Sequence, residues 1–69
     1  MPLTFATVGQ QNIIKRIGGS AETKKFLETL GFVVGSEITV VNEIGGNVIV
    51  NIKESRVAIS KEMANKIMI

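Results

Sequence analysis

Ser20-Ala21-Glu22-Thr23-Lys24-Lys25-Phe26-Leu27-Glu28-Thr29-Leu30-Gly31-Phe32-Val33-Val34-Gly35 packs a helix start, an amphipathic body, a stop and a turn into one stretch. Ser20 is placed to cap the helix by accepting a hydrogen bond from an orphan N–H of the first turn. Glu22 follows in that turn, where its charge suits the positive end of the helix dipole. Phe26, Leu27 and Leu30 form an apolar stripe that needs a surface to cover it. Gly31 is the expected stop, because glycine adopts positive φ without a Cβ clash. Phe32 should then fold back onto Leu27, the hydrophobic contact that accompanies a glycine C-cap. Val34-Gly35 reads as a turn with Gly35 at positive φ, delivering the chain into a strand.

Upstream of this helix, Leu3 to Val8 is an apolar lead-in in which Thr4 could cap a single helical turn ended by Gly9. Ile13 to Ile17 predicts a first strand with Ile13 and Ile17 on one face and Ile14 and Arg16 on the other. Gly18-Gly19 ends it. Downstream, Glu37 to Glu43 predicts a strand with Ile38 and Val40 facing opposite to Thr39 and Val41. Gly45-Gly46-Asn47 is a hairpin signal, and Val48, Val50 and Ile52 then alternate with Ile49 and Asn51. Lys53-Glu54-Ser55 is a second short loop, and Val57 and Ile59 alternate with Arg56 and Ala58 in the strand after it. Ser60 is another N-cap candidate, ahead of a helical turn that places Met63, Ala64 and Ile67 on one face. Ile67 to Ile69 supplies a short closing strand. Its edge could also pair with a second copy of the chain.

The chain has 69 residues, enough for one domain over 1–69 and no second core. It contains no cysteine, so no disulfide staples the fold and stability must come from dense apolar packing. The hydrophobic content of 45% is rich in Val and Ile, which favour half-buried strands. The expected fold is mainly β: a small SH3-like five-stranded barrel. Its one helix, Ser20 to Leu30, follows strand one, and a short helical turn precedes the last strand. Closing the strands in this way buries a core and removes edges. No apolar run approaches the roughly 18 to 20 residues of a membrane-spanning helix. The N-terminus lacks the basic segment and apolar block of a secretory signal. A cytoplasmic location and no direct membrane insertion are the expectations.

At this point the chain resembles the FeoA family, small cytoplasmic proteins of bacterial ferrous-iron uptake. Lys25 to Val40 carries the resemblance through the helix, the Leu30-Gly31-Phe32 step, the turn glycine Gly35 and the strand behind it. Val57 to Ile69 is similar to the family's closing strand, alanine-bearing turn and last strand, and Ile13 to Gly19 to its opening strand and double glycine. Two positions depart from the family pattern. Val34 stands where the family often has proline, and Lys53-Glu54-Ser55-Arg56 occupies a loop that often carries glycine. The resemblance implies an accessory role and a partner, the cytoplasmic GTP-binding domain of the FeoB ferrous-iron transporter. A related barrel occurs in iron-dependent repressors, so a regulatory domain of such a system is an alternative.

The residues themselves offer little for catalysis. There is no histidine or cysteine, which removes the common general base and the strongest nucleophile. The acidic residues are all glutamate, at 22, 28, 37, 43, 54 and 62, none in an apolar stretch that would raise its pKa. No catalytic, cofactor-binding or metal-ligating residue is assigned, since ferrous iron is usually held by imidazole together with carboxylate. Gly18-Gly19-Ser20 ahead of a helix could cradle an anion, but it lacks the Lys-Ser/Thr ending of a P-loop, and a turn with a cap explains it. The basic pairs Lys15-Arg16 and Lys24-Lys25 raise a nucleic-acid alternative. Glu22 and Glu28 interrupt that field and the aromatics are better explained as core, so no nucleic acid is expected. Phe26, Leu27, Leu30, Phe32 and Val33 are more apolar residues than one helical face can hide, which points to a groove for a protein partner. Lys24, Lys25, Leu30, Phe32 and Val33 are the candidate contact residues, with the lysines setting orientation.

Overall fold

The computed structural model describes residues 1–69 and measures 28 × 24 × 22 Å. Its strands are β1 (Gln11–Ile13), β2 (Arg16–Ile17), β3 (Glu37–Ile44), β4 (Asn47–Ile52), β5 (Ser55–Ser60) and β6 (Ile67–Met68). The helices are α1 (Ala21–Thr29) and α2 (Lys61–Ala64), with a 3-10 turn over Leu3–Phe5. A four-stranded antiparallel sheet runs in the order β1-β3-β4-β5, and β2 pairs with β6 in a second sheet. Both sheets and α1 close over one core in which Leu3, Ile14, Leu27, Phe32, Ile38, Val50, Ile52 and Ile67 are fully buried.

Alternation builds the sheet. Ile38, Val40, Val48, Val50, Ile52 and Ile59 fall on the covered face, and Thr39, Asn51 and Arg56 fall on the open one. A bulge at Val41 then shifts the register, so that Asn42 pairs with Ile49. Gly45-Gly46 closes the first hairpin as its composition predicts, with Gly45 at φ +58°. The second hairpin turns through Lys53-Glu54 with Lys53 itself at φ +55°, a conformation that strains any residue with a Cβ. Lys53→Gly is therefore expected to stabilise the fold by about 1 kcal/mol. A urea midpoint no higher than wild type would contradict this.

The two sheets number six strands rather than five because the first strand breaks. Ile14 leaves β1 and enters the core: its N–H donates to the Ser36 carbonyl at 3.0 Å and its carbonyl accepts from Gly35 N–H at 2.8 Å. One residue on, Lys15 N–H donates to the Met68 carbonyl at 2.7 Å, so the chain has changed partners. Ile13 is consequently exposed rather than paired with Ile17 on a shared face. The barrel is SH3-like but stays open between β5 and the second sheet.

Three further expectations are corrected by the structure. Thr4 does not cap the 3-10 turn; its hydroxyl donates instead to Asn65 Oδ1 at 2.7 Å, tying that turn to the end of α2. Phe26 is 50% exposed. The buried side of α1 is Thr23, Leu27 and Leu30, and a residue adjacent to Leu27 sits about 100° around the helix from it. The edge of Ile67 to Ile69 is not free. Met68 pairs with Arg16 on one side and bridges to Pro2 on the other, while Ile69 and Met1 exchange hydrogen bonds at 2.8 Å.

Candidate functional site

The helix ends are built as the local sequence dictates. Ser20 Oγ accepts from Thr23 N–H at 3.2 Å, capping α1, and Ser60 Oγ accepts from Met63 N–H at the same distance, capping α2. At the other end of α1, Gly31 takes φ +103°. Its N–H donates to the Glu28 carbonyl at 2.9 Å and Phe32 N–H donates to the Leu27 carbonyl at 3.0 Å. These two bonds define a Schellman stop, and the accompanying apolar contact sets Phe32 and Leu27 together inside the core. The chain then leaves through Val33 and the Val34-Gly35 turn, with Gly35 at φ +91°.

This exit creates a cleft of about 360 Å³ between α1, its C-terminal turn and β2, lined by Arg16, Ile17, Lys24, Glu28, Phe32, Val33 and Val34. Phe32 forms part of its wall from within the core, with only 1% of its surface exposed. Ile17 and Val33 are half-buried, whereas Val34 projects with 64% of its surface exposed. Arg16 and Lys24 are exposed cations at the rim, and Glu28 lies one helical turn beyond Lys24.

The cleft gathers Lys24, Phe32 and Val33 from the candidate contact residues. Lys25 and Leu30 are elsewhere: Lys25 faces solvent outside the cleft, and Leu30 packs on the core. Burial also removes Phe32 from the residues a partner could grip directly. Arg16, Ile17, Glu28 and Val34 join the site without having been singled out for it. Val34 had a sequence signal, an apolar side chain in a glycine turn where nothing covers it. Arg16 had only its place in a basic pair and Ile17 had none, because their position beside α1 depends on the broken first strand. No three carboxylates converge anywhere in the fold, and no helix is long and apolar enough to cross a membrane.

Comparison with known proteins gives the chain a family. The FeoA domain family matches residues 1–69. The putative Fe(2+) transport protein A of Methanocaldococcus jannaschii is 35% identical over 68 residues, covering 99% of this chain and 83% of that protein. The chain belongs to the FeoA family. FeoA proteins serve ferrous-iron transport, and their fold recurs in solved structures. Iron(II) transport protein A from Clostridium thermocellum superposes with a TM-score of 0.91 at 30% identity, covering 99% of this chain and 43% of that one. FeoA of Stenotrophomonas maltophilia, a procaryotic SH3 domain protein solved as a zinc complex, superposes with a TM-score of 0.85 at 20% identity over 99% of this chain and 87% of that one. The second likeness speaks for the FeoA fold alone, and it agrees with the SH3-like reading of the strands.

Proposed function

We propose that this FeoA-family chain is a non-enzymatic, cytoplasmic accessory module of ferrous-iron uptake that docks on the GTP-binding domain of the FeoB transporter. The observation that carries the reading is the cleft beside the α1 exit. It combines an apolar wall (Ile17, Val33 and Val34, backed by the buried Phe32) with two rim cations (Arg16, Lys24) and one carboxylate (Glu28), a net positive rim suited to an apolar side chain beside an acidic group. The chemistry available to the chain supports an interaction role. With neither thiol nor imidazole, its charged and hydroxyl side chains are glutamates, amines, two guanidinium groups, and serines and threonines with no imidazole to activate them.

The test is binding of the purified cytoplasmic GTP-binding domain to wild-type protein and three single variants. Val34→Asp places a carboxylate on the apolar wall without touching the core and is expected to weaken binding about tenfold or more. Lys24→Glu inverts a rim charge and should both weaken binding and flatten its salt dependence. Lys25→Glu, outside the cleft, should bind as wild type does. Wild-type affinity in Val34→Asp would remove the cleft from the contact.

A further inference from the structure

Of the two edges of the four-stranded sheet, β5 is the long one, and its outer side carries no strand. Which groups it leaves open follows from the hairpin. Lys53-Glu54 is a two-residue turn, so the flanking pair Ile52 and Ser55 is hydrogen-bonded, and bonded pairs recur at every second residue. Ser55, Val57 and Ile59 therefore spend their N–H and C=O groups on β4. The Lys61 N–H bond to the Gly46 carbonyl at 3.0 Å continues that odd-numbered series. Arg56 and Ala58 direct their backbone groups away from β4, and neither has a backbone partner among the turn and loop bonds. Both residues are exposed.

The usual protections of an edge are weak in this strand. It holds no proline, no bulge and no glutamate or lysine. Its one charge, Arg56, is drawn back over the open face, where Nε donates to Asn51 Oδ1 at 3.2 Å. The strand is also self-compatible. Antiparallel pairing of two β5 strands about Ala58 sets Ala58 against Ala58 in a bonded pair that uses the open groups, and Arg56 against Ser60, the residue that caps α2. It sets Val57 against Ile59 on the covered face. No like charges meet, the smallest side chain sits on the two-fold axis, and the half-buried Val57 gains an apolar neighbour. Pairing about Arg56 instead would oppose two guanidinium groups.

We propose that β5 is a self-association edge, on which a second copy of this chain pairs antiparallel about Ala58 to make one continuous eight-stranded sheet. This goes beyond the docking reading and uses a different surface, since no β5 residue lines the cleft beside α1. The contact is two short strands wide, so the dimer is weak and concentration-dependent.

The test is sedimentation equilibrium of the full chain across a concentration series up to about 1 mM, the range in which a contact of this size registers. Wild type should show reversible monomer–dimer exchange. Ala58→Glu and Ala58→Lys each oppose like charges on the axis and should weaken the dimer about fivefold or more. Both substitutions lie on an exposed side chain, and circular dichroism should show them folded. An equimolar mixture of the two should recover dimer as the mixed species, which a general loss of stability would not produce. A wild-type monomer throughout the series, or variants that dimerise as wild type does, or a mixture without recovery, would each overturn the proposal.

Discussion

Phe32→Ala is expected to remove about 3–5 kcal/mol of folding stability, the cost of emptying a fully buried aromatic site. A domain of 69 residues has roughly 3–10 kcal/mol in total, so the variant should be largely unfolded or close to it at ambient temperature. The size of the effect comes from where Phe32 sits. It is the largest fully buried side chain, and it is also the residue whose N–H closes the Schellman stop of α1. Alanine keeps that backbone bond and loses only the ring, so the measured loss isolates the packing. Phe26→Ala is the control. It removes the same ring from a half-exposed site and should cost less than about 1 kcal/mol. Urea unfolding followed by circular dichroism decides between them through the midpoint, with the slope unchanged. Comparable losses at the two positions would mean that the helix stripe, rather than the exit residue, anchors α1. The same geometry explains why Phe32→Asp is a poor interface probe. It would bury a carboxylate without a partner and abolish binding by unfolding the chain.

What was legible in the sequence divides along one physical line. The caps, the Schellman stop, the glycine turns and the alternating strands β3 to β5 follow from residues within a few positions of one another. Ser20, Gly31 and Gly35 therefore stand where local chemistry requires them. The break between β1 and β2 depends on contacts far along the chain: Ser36 and Gly35 hold Ile14 from one side and Met68 holds Lys15 from the other. A run of Ile13-Ile14-Lys15-Arg16-Ile17 carries no proline or glycine to announce it. Phe26 shows the same limit in another form. The glycine stop by itself folds Phe32 onto Leu27, but Phe26 lies about 100° around the helix from Leu27, and only the packing of α1 on the core decides that this side stays open.

The candidate site inherits this division. Lys24, Phe32 and Val33 were visible because the helix and its exit are local. Arg16 and Ile17 reach the cleft through the pairing of Arg16 with Met68 and Ile17 with Ile67, a contact across most of the chain length. The cleft is thus a joint product of β2, β6 and the helix exit. A change that loosens β6 should reshape it even though no β6 residue lines it.

Ile14→Ala tests the crossing itself and is expected to cost about 2–5 kcal/mol, the range for deleting a fully buried isoleucine side chain down to alanine. The three backbone bonds at the crossing do not involve the side chain and should survive, so the loss again reports packing between the two sheets. Ile13→Ala discriminates the structure from the continuous strand that the local pattern suggests. A continuous strand places Ile13 and Ile17 on one face and gives Ile13 a substantial share of the burial. The broken strand leaves Ile13 46% exposed, and its replacement should cost less than about 1 kcal/mol. Thermal or urea unfolding of the two variants therefore returns a clear ordering, with Ile14 the larger by at least about 1 kcal/mol. Equal losses, or a larger one at Ile13, would mean that the first strand runs unbroken and that Arg16 and Ile17 do not face α1. The cleft proposed for the transporter would then lose its second wall.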